Sequence, residues 1–102
     1  MKLVQLLLPL YDGQGRAFPQ AQFDAVAGEL AQRFGGLTAY ARAPAAGLWK
    51  EQPGRTHHDD IVVYEVMVET LDEAWWRDYR ARLERDFRQQ ELVVRAQEIQ
   101  RL

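Results

Sequence analysis

Glu65 is the residue of this chain whose surroundings most invite chemistry. It stands in the middle of an apolar run, Ile61-Val62-Val63-Tyr64-Glu65-Val66-Met67-Val68. A carboxylate in such company needs a charged or hydrogen-bonding partner, or its pKa rises and it stays protonated. Arg42 and Arg95 lie in two other segments that alternate like strands, each on the side away from the core-facing row, and either could be that partner. Two arrangements fit. One is a pocket with an acid/base carboxylate beside an anion-binding arginine. The other, the more ordinary, is a buried ion pair that fixes how two sheets meet. Gln5, Tyr40 and Gln97 belong to the same face. Trp49, with Tyr40 and Tyr11, could line an aromatic pocket for a flat ligand, although aromatics in an irregular segment more often fold back over the core. The candidate ligand-binding residues are therefore Tyr40, Arg42, Trp49, Glu65 and Arg95, and no catalytic residue is assigned.

Several chemistries are closed off by residue type. The chain has no cysteine, which removes disulfides, thiolate zinc sites and cysteine nucleophiles. It has no serine either, so aliphatic hydroxyls are confined to Thr38, Thr56 and Thr70. Schiff-base chemistry would have only Lys2 and Lys50 to use. His57-His58-Asp59-Asp60 offers metal-ligating types, but neighbouring histidines on a strand point oppositely and the chain has no third. We read them as a polar turn entering a strand, and expect no metal and no cofactor. A two-histidine-one-carboxylate iron site has the residue types but no supporting spacing. The loop Tyr11-Asp12-Gly13-Gln14-Gly15-Arg16 is a turn and not a dinucleotide fingerprint, since Phe18 takes the third glycine's position.

Composition narrows the class further. A chain of 102 residues, 47% hydrophobic and 27% charged, suits one globular domain over 1–102. With a net charge of −2 it lacks the basic excess of nucleic-acid binders, and anionic membrane surfaces are poor partners for the same reason. The run Leu3 to Leu10 is interrupted by Gln5 and Pro9, unlike a signal peptide, and no stretch approaches the roughly 20 apolar residues of a membrane span. The expected location is the cytoplasm.

The elements that must position these residues follow from hydrophobic period. Leu3 to Leu10 alternates as a strand, with Val4, Leu6, Leu8 and Leu10 on one side. A helix opens near Pro19, carries Phe23, Val26, Ala27, Leu30 and Phe34 on one stripe, and ends at Gly35-Gly36. Leu37 to Ala43 is a second strand. Pro44 to His58 is irregular, with Gly47-Leu48-Trp49-Lys50 a candidate short strand. Asp60 to Val68 is the clearest strand. Thr70-Leu71-Asp72-Glu73 reads as a capping box opening a helix that buries Trp76, Tyr79, Leu83 and Phe87, with Trp75 at its margin. The charges from Arg77 to Arg88 read as its solvated face. Glu91 to Ile99 is a last strand.

The order β-α-β-β-α-β predicts a ferredoxin-like α+β fold, a four-stranded antiparallel sheet with both helices on one face and the first and third strands central. Those two strands are apolar on both faces. The side away from the helices would carry Leu3, Leu7, Ile61, Val63, Met67, Val93 and Ile99. Such a patch marks an interaction surface. Burying five of these side chains contributes roughly 7–15 kcal/mol before association costs, at about 1.5–3 kcal/mol each. A homodimer or higher homo-oligomer through this face is expected. The alternative is a monomer whose long loop and tail cover it.

Phe34-Gly35-Gly36-Leu37-Thr38, then Gly47-x-Trp49, Tyr79, Phe87-x-Gln89 and Glu91-x-Val93 resemble an uncharacterised family of small bacterial proteins. The resemblance spans roughly Phe34 to Val94. The glycine turn is one residue shorter here, and Leu92 stands where the family has a serine. The layout is also similar to the dimeric α+β barrel proteins, which include cofactor-independent monooxygenases and non-catalytic members. The resemblance implies a dimeric ligand-binding or interaction domain with a pocket between the sheets. Its alternative is a cofactor-independent monooxygenase- or isomerase-like enzyme using Glu65, Tyr40 or His57 for proton transfer.

Overall fold

A computed structural model describes residues 1–42 and 60–102. The period-two alternation of the first segment forms β1 (Lys2–Pro9), in which Val4, Leu6 and Leu8 are at most 1% exposed. The other elements are α1 (Gln20–Phe34), β2 (Thr38–Arg42), β3 (Ile61–Val68), α2 (Glu73–Asp86) and β4 (Val93–Glu98). All neighbouring strands are antiparallel, in the order β2-β3-β1-β4. This is the ferredoxin-like α+β fold, with β1 and β3 in the middle as their two-sided apolar character required. Gly47-Leu48-Trp49-Lys50 lies outside the described residues.

One face of the sheet is the core. Leu6 pairs with Tyr64, Val4 with Val66 and Leu8 with Val62 across β1 and β3, and the helices lay their apolar stripes on this row. Phe23, Val26 and Leu30 of α1 and Trp76, Tyr79 and Leu83 of α2 are buried there. The helices meet through aromatic rings. Phe34 of α1 stacks on Trp76 of α2 at 5.1 Å and meets Trp75 edge-on at 5.4 Å, and Phe23 packs against Phe87, at the end of α2, at 5.4 Å. Such pairs add about 0.5–1.5 kcal/mol each to what their burial contributes. The Tyr64 hydroxyl donates to the Phe23 carbonyl oxygen, tying β3 to α1.

The helix ends are set by local chemistry. Pro19 immediately precedes α1, and Gly35 closes it in the left-handed conformation, φ 82°, its N–H donating to the Ala31 carbonyl at 2.8 Å. Residue Arg88 ends α2 with φ 52°, in the Schellman pattern: Gln89 N–H donates to Glu84 O and Arg88 N–H to Arg85 O. That conformation usually selects glycine. Here the Arg88 guanidinium lies 3.4 Å from Asp12 and over the Phe18 ring, contacts glycine would forfeit.

The start of α2 differs from the capping box read in the sequence. The cap is Asp72, whose carboxylate accepts the Trp75 N–H at 3.1 Å, and not Thr70. Leu71 explains the shift: it packs against the core next to Trp76, as a hydrophobic staple does, which leaves Asp72 as the last non-helical residue. Glu73 then sits in the first turn, pairing with Arg77 at 2.8 Å. The charged face of α2 is also not wholly solvated. Arg82 reaches Glu29 of α1, and Glu84 accepts the Leu92 N–H at 3.0 Å, holding the turn into β4. Replacing Asp72 with Ala should therefore lower stability by about 0.5–2 kcal/mol in a urea melt, whereas Thr70→Ala should stay within about 0.5 kcal/mol. Equal effects of the two variants would restore Thr70 as the cap.

Candidate functional site

On the opposite face of the sheet, called the open face below, no helix of the described residues lies. Here β1 presents Leu3, Gln5 and Leu7, β3 presents Ile61, Val63, Glu65 and Met67, and β4 presents Val93, Arg95 and Gln97, as their registers with the core row require. Met67 is 48% and Val93 45% exposed, Leu3, Leu7, Ile61 and Ile99 are half-buried, and Val63 is buried. The tail runs at one end of this face, where Ile99 N–H donates to the Met1 carbonyl and Arg101 and Leu102 are exposed; the long loop of the covering alternative lies outside the described residues.

Gln5 of β1 pairs with both Glu65 of β3 and Arg95 of β4. The three side chains form one hydrogen-bonded row across three strands. Arg95 Nε–H donates to Gln5 Oε1 at 2.8 Å, and Gln5 Nε2–H donates to Glu65 Oε2 at 2.6 Å. A primary amide offers an acceptor and a donor from the same plane, so Gln5 joins a cation to an anion. The charges of Glu65 and Arg95 meet through this adapter and not as a direct ion pair. Glu65 is half-buried and Arg95 is exposed.

Of the remaining candidates, Tyr40 and Arg42 belong to β2, where the register sets Tyr40 opposite Val63 and Arg42 opposite Ile61. Trp49, His57 and His58 lie outside the described residues. Among the described residues no three His, Cys, Asp or Glu side chains gather as a metal site. Leu3, Thr38, Glu65, Met67, Ile99 and Arg101 border a shallow groove of about 590 Å³ along one end of the open face. Gln5 is the residue that sequence reasoning undervalued. Its face was legible, but its place in the same row as Glu65 and Arg95 depends on register.

Burial first, then the neighbouring Glu29 carboxylate, pushes the Tyr79 hydroxyl far above its ordinary 10.0. Burial, helped by Asp24, raises Tyr64 as well. Both serve packing: Tyr79 donates to Glu29 and Tyr64 to a backbone carbonyl. Glu98 is held low by hydrogen bonds from the chain's amino terminus and Lys2. Asp12 folds the β1–α1 loop around its carboxylate, accepting N–H groups from Gln14 at 2.8 Å and Arg16 at 2.9 Å. The Arg16 N–H above all, with the Gln14 N–H and the Arg16 and Arg88 guanidiniums, holds its carboxyl below the ordinary 3.8, against a smaller opposing effect of desolvation.

No protein-family model matches the chain, and neither does any curated protein or solved structure. Several residues that carry the resemblance have structural duties: Phe34 stacks on Trp76, Gly35 caps α1, and Tyr79 and Phe87 fill the core. They speak for a fold and not for an activity.

Two measurements test this geometry. A double-mutant cycle between Gln5→Leu and Glu65→Gln should give a coupling of about 0.5–1.5 kcal/mol, and additivity would dissolve the row. A group whose folded pKa is depressed stabilises above its unfolded value and loses that contribution as pH falls through the folded one. Asp12 therefore contributes fully above 3.8, and its contribution disappears below that pH. In acid melts Asp12→Asn should start less stable at neutral pH and show a shallower loss below that value; a parallel acid limb would count against the loop lock.

Proposed function

We propose that this chain is a ligand-binding or interaction domain that works as a homodimer, two copies meeting through their open sheet faces around the Arg95–Gln5–Glu65 row. One observation carries this reading: a hydrogen-bonded cation, amide and anion run across three strands of a sheet face that also presents Leu3, Leu7, Val63, Met67 and Val93. Exposed apolar area favours association, since Met67 and Val93 are about half exposed and have no covering helix among the described residues. The polar row supplies what an apolar interface lacks, because desolvated charges demand defined partners and so fix register and orientation. A ligand between the faces would meet a guanidinium with free N–H groups, an amide and a carboxylate. That set recognises a small polar molecule.

The second reading, a cofactor-independent monooxygenase- or isomerase-like enzyme, draws on the same observation. The Gln5 N–H steadies the Glu65 carboxylate, and a carboxylate so positioned is a candidate base.

The test is association. Light scattering at micromolar concentration should give a mass above the 11.8 kDa of one chain. Met67→Lys and Val93→Lys should each return it to the monomer with an unchanged circular dichroism spectrum. A parent protein that is monomeric throughout would overturn the proposal.

A further inference from the structure

A second recess lies on the other side of the sheet, between α2 and the outer strand β4. The helix-facing residues of β4 are Val94, Ala96 and Glu98, shrinking from valine to alanine and then turning polar. Helix α2 faces them with one stripe, Glu73, Trp76, Arg77 and Arg80, since residues three and four apart share a helix face. The outcome is a crevice of about 190 Å³ with an apolar floor of Val4, Leu71, Trp76, Val94 and Ala96. Protein interiors are close-packed, so space beside a buried tryptophan calls for a reason. Ala96 supplies the geometric one: it pairs with Val4, and a larger side chain there would fill the gap.

The rim has its own chemistry. Arg77 and Arg80 stand one turn apart over the floor, and Glu73 is the one carboxylate among the crevice residues. Their present partners hold them loosely. Arg77 forms an exposed four-residue pair with Glu73, of the kind that contributes little, and Arg80 approaches the half-buried Glu84 only to 3.7 Å. Each guanidinium keeps donors for a planar, two-oxygen acceptor, the match that arginine makes with carboxylates. Pockets for drug-sized ligands run to about 300–1,000 Å³, so this crevice takes something smaller.

We propose that the crevice between α2 and β4 is a binding site for a small organic acid with a flat or branched apolar body. The apolar body lies on Trp76, Val94 and Ala96, and the carboxylate lies between Arg77 and Arg80. The crevice opens on the face opposite the Arg95–Gln5–Glu65 row; Arg95 of the edge strand borders both, while the proposed contacts are made by Trp76, Arg77, Arg80, Val94 and Ala96.

Benzoate is the probe, with benzamide as its neutral match, titrated into the ¹⁵N-labelled protein. Benzoate should give saturable shifts at the Trp76 indole N–H and the Ala96 amide at millimolar concentration, and benzamide should bind at least about tenfold more weakly. Ala96→Leu should abolish the shifts while the melting temperature holds or rises, because it fills the crevice. The double variant Arg77→Gln, Arg80→Gln should weaken benzoate to the level of benzamide, and it keeps the question open to decision if Ala96→Leu fails to fold. Absence of saturation, equal binding of benzamide, or undiminished binding to Ala96→Leu would each overturn the proposal.

Discussion

The pairing of β1 with β3 is the constraint on which everything else in this molecule depends. From Lys2 against Val68 to Pro9 against Ile61, the two central strands run antiparallel in one unbroken register. A slip of one residue would carry Val4, Leu6 and Leu8 out of the core and put Leu3, Gln5 and Leu7 into it. The aromatic stripes of α1 and α2 would then face an amide in place of leucine. Because burial of Leu6, Leu8 and Val66 is nearly complete, that alternative is closed by several kcal/mol on the scale of about 1.5–3 kcal/mol per buried side chain. The register that fills the core is the same register that sets Gln5 opposite Glu65. The polar row is thus a by-product of core packing, placed as firmly as the core itself.

Fixing a row is a different matter from fixing its strength. Glu65 and Arg95 are separated by the whole of β1, so without an intermediary their charges would interact across solvent, where screening leaves little. Gln5 converts that distance into two short hydrogen bonds, each with one charged partner. Hydrogen bonds to charged groups contribute more than neutral ones, about 1.5–3 kcal/mol, when water is kept away. In a single copy the Arg95 end is wet. A covering surface would dry it and raise the value of both bonds, so the row gains most when the face is occupied.

Much of this architecture was legible in the sequence, and the residues show why. The period of Val62, Tyr64, Val66 and Val68, the stripe of Phe23, Val26, Leu30 and Phe34, and the glycines at 35 and 36 are local signals with local causes. The two-sided apolarity of the first and third strands made them central before any sheet was seen. Two things were not legible. The N-cap of α2 had two acceptable local solutions, Thr70 with Glu73 or Asp72 with the Trp75 N–H, and only the insertion of Leu71 into the core decides between them. The bridging role of Gln5 was hidden for a similar reason. Alternation assigns a residue to a face, but residues 5, 65 and 95 share a row only through the registers of two strand pairs.

Strand β4 is where the packing argument weakens and where both binding proposals touch the fold. Most of its residues are exposed, and only Val94 is half-buried. An outer strand held this lightly contributes little to the core, which the near-complete burial of the β1 and β3 rows already supplies. Its sequence is accordingly free to vary in what it presents: Arg95 toward the open face, Ala96 toward α2. Glu98, bound to both the chain's amino terminus and Lys2, pins one end, and Leu92, held by Glu84 and buried in the core, pins the other. Between those anchors the strand is positioned without being covered. A segment fixed at both ends and solvated along its length can meet a ligand or a second chain without first giving up contacts of its own, so little of the binding energy is lost to rearrangement.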